Sequence, residues 1–139
     1  MDIFSKTIVP VLEKSLSAYS LRQKVIADNI ANIETPGYSK KAVTFEEQLS
    51  QAIDNTGSGT VSTNPRHIPI GSAVSLDNVE PQIVSAESSH GDPLMSGVNG
   101  VDVDSEMVDL AKNQIRYRMA ARMMATVFQQ IQKAVRGTA

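Results

Sequence analysis

Residues 101–137 read VDVDSEMVDLAKNQIRYRMAARMMATVFQQIQKAVRG, and no proline or glycine interrupts them before Gly137. Alternating steps of three and four from Val103 reach Met107, Leu110, Gln114, Tyr117, Ala121, Met124, Phe128, Ile131 and Val135. Nine of these ten positions are apolar, and Gln114 is the exception. An apolar ridge at this spacing predicts a long amphipathic helix that wants a partner helix along its length. Asp102 or Asp104 suits the N-cap, and Glu106 suits the positively polarised first turn. Lys133 and Arg136 fall in the last turn, where Gly137 supplies the stop. About 32 residues of helix span roughly 48 Å.

The other end of the chain repeats the design. From Val11 to Ile33 there is no glycine or proline, and Pro10 suits a first helical turn. The same alternation gives Leu12, Leu16, Tyr19, Gln23, Ile26, Ile30 and Ile33, with Gln23 as the single polar interruption. This helix should stop near Asn32, because Pro36 disfavours helical dihedrals at Thr35 and Gly37 opens a turn. A two-helix hairpin within one chain is the simpler use of two such ridges. Secondary apolar positions on the flanks, at Val25, Val108, Ile115 and Met123, argue instead that both helices also pack against other subunits.

The chain is therefore read as mainly α, with two long terminal amphipathic helices forming a coiled-coil-like pair around an irregular middle. The N-terminal helix is assigned to residues 1–34, a turn and short element to 35–53, the irregular acidic segment to 54–101 and the C-terminal helix to 102–139. Val43, Phe45, Leu49 and Ile53 belong to the short element, and 54–62 (DNTGSGTVS) has a linker's composition. Isolated short strands are expected around 73–76 and 82–85.

Composition narrows the function classes. The 139 residues carry a net charge of −2, no Cys, no Trp and 4% aromatic residues. Charge is uneven: residues 1–40 sum to +1, residues 41–104 to −7 and residues 105–139 to +4. No apolar run approaches the ~18 residues of a membrane span, and no cleavable secretory signal is expected. Near-neutral charge argues against nucleic acid as the main partner.

Catalytic and metal chemistry find little support. His67 and His90 lie far apart, with no Cys to complete a zinc site. Asn99, Asp102, Asp104 and Glu106 lack the order of a calcium loop and read as a helix start. Glu46 and Glu47 are adjacent and read as solvated, which leaves no acid pair for hydrolysis. No nucleophile elbow, Walker loop or dinucleotide glycine pattern occurs. No enzyme, cofactor, metal or small-molecule substrate is expected.

One short segment is more specific. Asp28-Asn29-Ile30-Ala31-Asn32-Ile33-Glu34-Thr35-Pro36-Gly37-Tyr38 resembles the N-I-A-N-x-x-T-P-G-Y signature of bacterial flagellar rod, hook and junction proteins. Thr63-Asn64-Pro65-Arg66-His67-Ile68 is similar to a stretch of the family's proximal rod branch. The helix start Val101–Met107 with Leu110–Tyr117 resembles that branch as well. The resemblance spans residues 4–40, 63–68 and 98–136. Gly97-Val98-Asn99-Gly100 departs from the family's more usual G-N-N, so the angle at which the second helix begins is not carried over.

The resemblance implies a structural subunit of the basal-body rod, which leaves the cytoplasm through the flagellar export apparatus and polymerises through its terminal helices. It implies that Leu12, Leu16, Tyr19, Ile26, Ile30, Met107, Leu110, Tyr117, Met124, Phe128 and Ile131 serve subunit packing. Asn29, Ile30, Ala31, Asn32, Thr35, Pro36, Gly37 and Tyr38 form the family motif. Phe4 and Ile8 resemble the hydrophobic export signal of such substrates. Implied partners are further copies, sibling rod proteins, a rod-base adaptor and, transiently, the export apparatus. The rival class is a soluble helical adaptor or export-chaperone module that binds a single partner helix.

Overall fold

A computed structural model describes residues 8–57, 76–85 and 101–137. Helix α1 covers Val9–Ala31, strand β1 Lys41–Thr44, helix α2 Glu46–Gly57, strand β2 Gln82–Ser85 and helix α3 Val103–Arg136. A single 3₁₀ turn, Leu76–Asn78, precedes β2. The chain is mainly α, as its periodicity predicts. Phe4, the 63–68 stretch, both histidines and Gly97–Gly100 lie outside the described residues.

The helix ends follow local chemistry. Pro10 sits in the first turn of α1, where its missing N–H leaves no bond unmade. At the start of α3 the Asp102 carboxylate accepts from the Asp104 N–H at 3.0 Å. At its end Gly137 takes φ 67°, a left-handed conformation that glycine adopts without penalty. With 34 residues, α3 is about 51 Å long at ~1.5 Å per residue.

Helices α1 and α3 pack as an antiparallel hairpin, with Asn29 level with Glu106 and Tyr19 level with Asn113. The shielded face of α3 consists of the buried Glu106, Asn113 and Ala120, with Leu110, Met124 and Ile131 half-buried. This face is rotated from the predicted ridge. Met107 and Phe128 are about half exposed, at 53% and 49%, and Tyr117 is exposed where it borders an open groove with Leu16 and Leu21. On α1 the buried residues are Leu12, Ser15, Ala18, Val25, Ile26 and Asn29, while Leu16, Tyr19 and Ile30 are half-buried. Val25, read as a flank, is core. The rotation has a physical cause: the buried polar groups Asn29, Glu106 and Asn113 must meet their partners, whereas apolar side chains tolerate either setting.

The described residues between the two long helices form more regular structure than their composition suggests. β1 and β2 pair antiparallel, with Lys41 opposite Ser85 and Thr44 opposite Gln82, so the strand at 82–85 is paired rather than isolated. Of the strand expected at 73–76, residues 73–75 lie outside the described residues, and Leu76 opens the 3₁₀ turn. Helix α2 continues to Gly57, into the segment with a linker's composition. Phe45, Leu49 and Ala52 explain this, because their spacing puts them on one helical face. They close a small core with Ala18 of α1, Val79 and Leu76. Burying Phe45 and Val79, at 2% and 0% exposure, contributes about 1.5–3 kcal/mol each.

Candidate functional site: a polar clip and an apolar outer face

The segment that follows α1 makes a fixed sequence of bonds. The Asn32 side-chain amide donates to the Asp28 carbonyl at 2.8 Å, and its oxygen accepts from the Thr35 hydroxyl at 3.2 Å. The Tyr38 N–H then donates to the Thr35 carbonyl at 3.2 Å. Pro36 and Gly37 occupy the two central positions of that turn, and Gly37 has φ 77°, as a type II turn requires. The chain thus reverses within four residues, and β1 runs back alongside α1.

Asn29 holds this return in place. Its side-chain oxygen accepts from the Tyr38 hydroxyl and from the Lys41 N–H, each at 3.0 Å. Its amide nitrogen donates to the Lys41 carbonyl at 2.8 Å and to Glu106 Oε2 at 3.2 Å. Two donors and two acceptors are all used, which is the full capacity of an asparagine. The residue is fully buried. It takes the place of a neighbouring strand on β1's outer edge, and Arg22, two helical turns earlier, continues the cover by donating to the Val43 carbonyl at 2.9 Å.

Glu106 carries the clip to α3. It is 1% exposed, and its second oxygen lies 2.6 Å from the Lys40 ammonium. The contact is an ion pair rather than a well-aligned hydrogen bond. One residue therefore joins the end of α1, the start of α3 and the strand between them. Lys41 lies over the Tyr38 ring at 5.7 Å from its centroid. Burial pushes the Tyr38 hydroxyl above its ordinary titration range, with Asp28 and Glu106 adding to the effect, so the phenol stays a donor. Further along the hairpin the Asn113 amide donates to the Tyr19 carbonyl at 2.8 Å. Its oxygen has no partner among the described residues.

Beside the clip a cavity of about 300 Å³ lies between α1, β1 and α3. Arg22 forks onto both carboxylate oxygens of Glu46 across its mouth, and Arg116 approaches the same carboxylate at 3.6 Å. Glu46 is therefore paired, contrary to its reading as solvated. Arg116 finds an acid within its own chain. The hydrogen bond from Arg22, together with attraction to both arginines, holds the Glu46 carboxyl below its ordinary value of 4.5.

A depressed carboxylate stabilises the fold above its unfolded value. That stability disappears as pH falls from about 4.5 through the native value. Glu46→Gln should therefore flatten the acid limb of a stability–pH curve and cost under about 1 kcal/mol at pH 7, since half of the side chain faces water. Urea midpoints measured between pH 7 and pH 3 check this. An unchanged acid limb removes the pair from the account.

The other notable surface is apolar. Val108 and Ile115 stand two residues beyond the buried Glu106 and Asn113, about 200° round the helix. With Met119 and Met123 they form an exposed row on the far side of α3 from the α1 contact. α3 is thus apolar on two faces, and α1 covers one of them.

Periodicity alone misses Arg22, Lys40, Glu106 and Asn113 as the polar links of the hairpin. Glu106, Asn113 and Ala120 are spaced by sevens, and this was the available signal. Among the described residues no group of acids and histidines is arranged to hold a metal, and no helix is long and apolar enough to cross a membrane.

Residues 11–38, which cover most of α1 and the turn, match the family profile described as "Flagella basal body rod protein". The chain is 35% identical over 137 residues to the flagellar basal body rod protein FlgB of Bacillus subtilis, covering 99% of this chain and 98% of that one. It is 34% identical to FlgB of Borrelia hermsii, with 94% and 96% covered. To FlgB of Salmonella typhimurium it is 28% identical, with 90% of each chain covered. Similarity along the whole length, together with the helix–turn–strand clip at Asn29–Tyr38, shows that the chain belongs to the FlgB family of flagellar basal body rod proteins.

Proposed function

We propose that this chain is a structural subunit of the proximal rod of the flagellar basal body. In this reading it is exported through the flagellar apparatus and polymerises through α1 and α3 to transmit torque. The observation that carries the reading is that α3 is apolar on two faces while, among the described residues, the chain covers only one. Exposed Met107, Ile115, Met119 and Phe128 are costly to leave wet, at roughly 25 cal/mol per Å². Neighbouring subunits, whether further copies, sibling rod proteins or the rod-base adaptor, would dry them.

The clip complements this role. It fixes the hairpin by buried polar contacts within the chain, which leaves the apolar faces free for assembly. Tyr117, Leu16 and Leu21 around their open groove form a second apolar patch, between α1 and α3. The Phe4–Ile8 export signal and the packing roles of the ridge residues that remain exposed, Met107, Tyr117 and Phe128, are part of this proposal, whereas Leu12 and Ile26 are buried in the chain's own hairpin.

Sedimentation and circular dichroism of the full chain test it against a one-to-one helical adaptor. A rod subunit should associate with itself or with rod partners and gain helix on doing so. A monodisperse monomer whose helicity is complete and unchanged by those partners favours the adaptor and overturns the rod reading.

A further inference from the structure

We infer that the outer face of α3 docks on the α2 face of a second copy of this chain, through Arg118 and Arg122 on one side and Glu47 and Asp54 on the other. This rests on the rod reading and adds to it which surfaces meet.

The argument starts from unmatched charge. Lys112 is paired with Asp109 at 3.3 Å and Arg116 with Glu46. Arg118 and Arg122, which rim the row of Ile115, Met119 and Met123, have no acidic partner among the described residues. Of the exposed acids with no ion pair among the described residues, two stand together on α2. Glu47 and Asp54 are exposed on α2 and seven residues apart, hence on one helical face. Ile53, 44% exposed, lies beside Asp54.

One chain cannot bring the two sets together. Arg116 is the α3 cation that reaches α2, through Glu46. Arg118 follows two residues later, about 200° round the helix, and so faces away from its own α2. A basic-rimmed row and an acidic helix face are complementary in sign, with Ile53 about 100° round α2 from Asp54 at the edge of that face, and complementarity of charge sets partner choice and register. A second copy supplies both surfaces at once. Repeating the same contact adds a further copy each time, because the two faces are different surfaces of one molecule.

Reciprocal charge exchange in a flagellated strain that carries only the altered full chain decides the matter. Arg118→Glu with Arg122→Glu should reduce swimming spread about tenfold, and so should Glu47→Lys with Asp54→Lys, by setting like charges opposite one another. Combining all four changes should restore spreading to near the unaltered level, which a simple folding defect in either pair would not allow. All four side chains are exposed, so helicity of the purified variants should stay unchanged. Normal spreading by either pair alone, or no recovery in the combination, overturns the contact. Both results leave the rod reading intact, because that reading is tested separately, by association of the full chain and by whether a working rod forms without it.

Discussion

Replacing Asn29 by alanine is expected to remove about 3–5 kcal/mol of stability, enough to unfold the hairpin in much of the population. The residue makes four hydrogen bonds at 2.8–3.2 Å from a fully buried position. Each contributes about 1 kcal/mol net, and the penalty grows because the partners are left unpaired away from water. Tyr38, both backbone groups of Lys41 and Glu106 all lose a partner together. A small domain holds only about 5–15 kcal/mol in total, so this is a large fraction. The urea midpoint of the full chain, followed by helicity, measures it.

Asn29→Asp separates the clip from simple packing. The aspartate can still accept from Tyr38 and Lys41, but it cannot donate, and it sets a second carboxylate against Glu106. Two adjacent carboxylates raise the pKa of one. A carboxyl that binds its proton more tightly when folded contributes stability at low pH and loses it as pH rises through that raised value. The deficit of Asn29→Asp against the unaltered chain should therefore shrink as pH falls from 7 towards 4. A midpoint for Asn29→Ala within about 0.5 kcal/mol of the unaltered chain would show that Asn29 does not hold the hairpin.

Deleting residues 1–20 is expected to abolish rod assembly and motility completely. The deletion removes the first half of α1, including buried Leu12, Ser15 and Ala18. Ala18 is also part of the small core with Phe45, Ala52 and Val79, so α2 loses its support as well. Since the deletion also removes the Phe4–Ile8 segment, Ala18→Asp serves as a companion. It keeps that segment intact and buries a charge at a position 1% exposed, at a cost of several kcal/mol. The point variant should be exported yet absent from isolated basal bodies. Normal swimming by the deletion strain refutes the rod assignment.

Much of this architecture is legible in the residues themselves. Both long helices follow from uninterrupted periodicity, with Pro10 at one start, Asp102 at the other and Gly137 at the final stop. The reversal after α1 follows from Thr35-Pro36-Gly37, since proline presets one turn dihedral and glycine alone adopts the next at no cost. α2 is harder to read. Its Phe45–Leu49–Ala52 face is short, and Asp54-Asn55-Thr56-Gly57 looks like the start of a linker, so only a core contributed by distant residues makes it a helix.

The position of α3's inner face could not be read from periodicity at all. Met107, Val108, Leu110, Ile115, Met119, Met123, Met124, Val127 and Phe128 place apolar groups on almost every side of α3, and a ridge drawn through them is uncertain by a residue. Likewise, Glu106 looks like an ordinary first-turn acid, and nothing local says that Lys40 and Asn29 bury it.

The amino-acid order alone determined that there are two long helices, where they begin and end, and how the chain turns after the first, because each depends on nearest neighbours and a local period. Only the tertiary structure decided which side of each helix faces inward. Apolar side chains attract one another without direction, whereas Asn29, Glu106 and Asn113 must meet particular atoms from 77 to 94 residues away, and those directional bonds set the rotation.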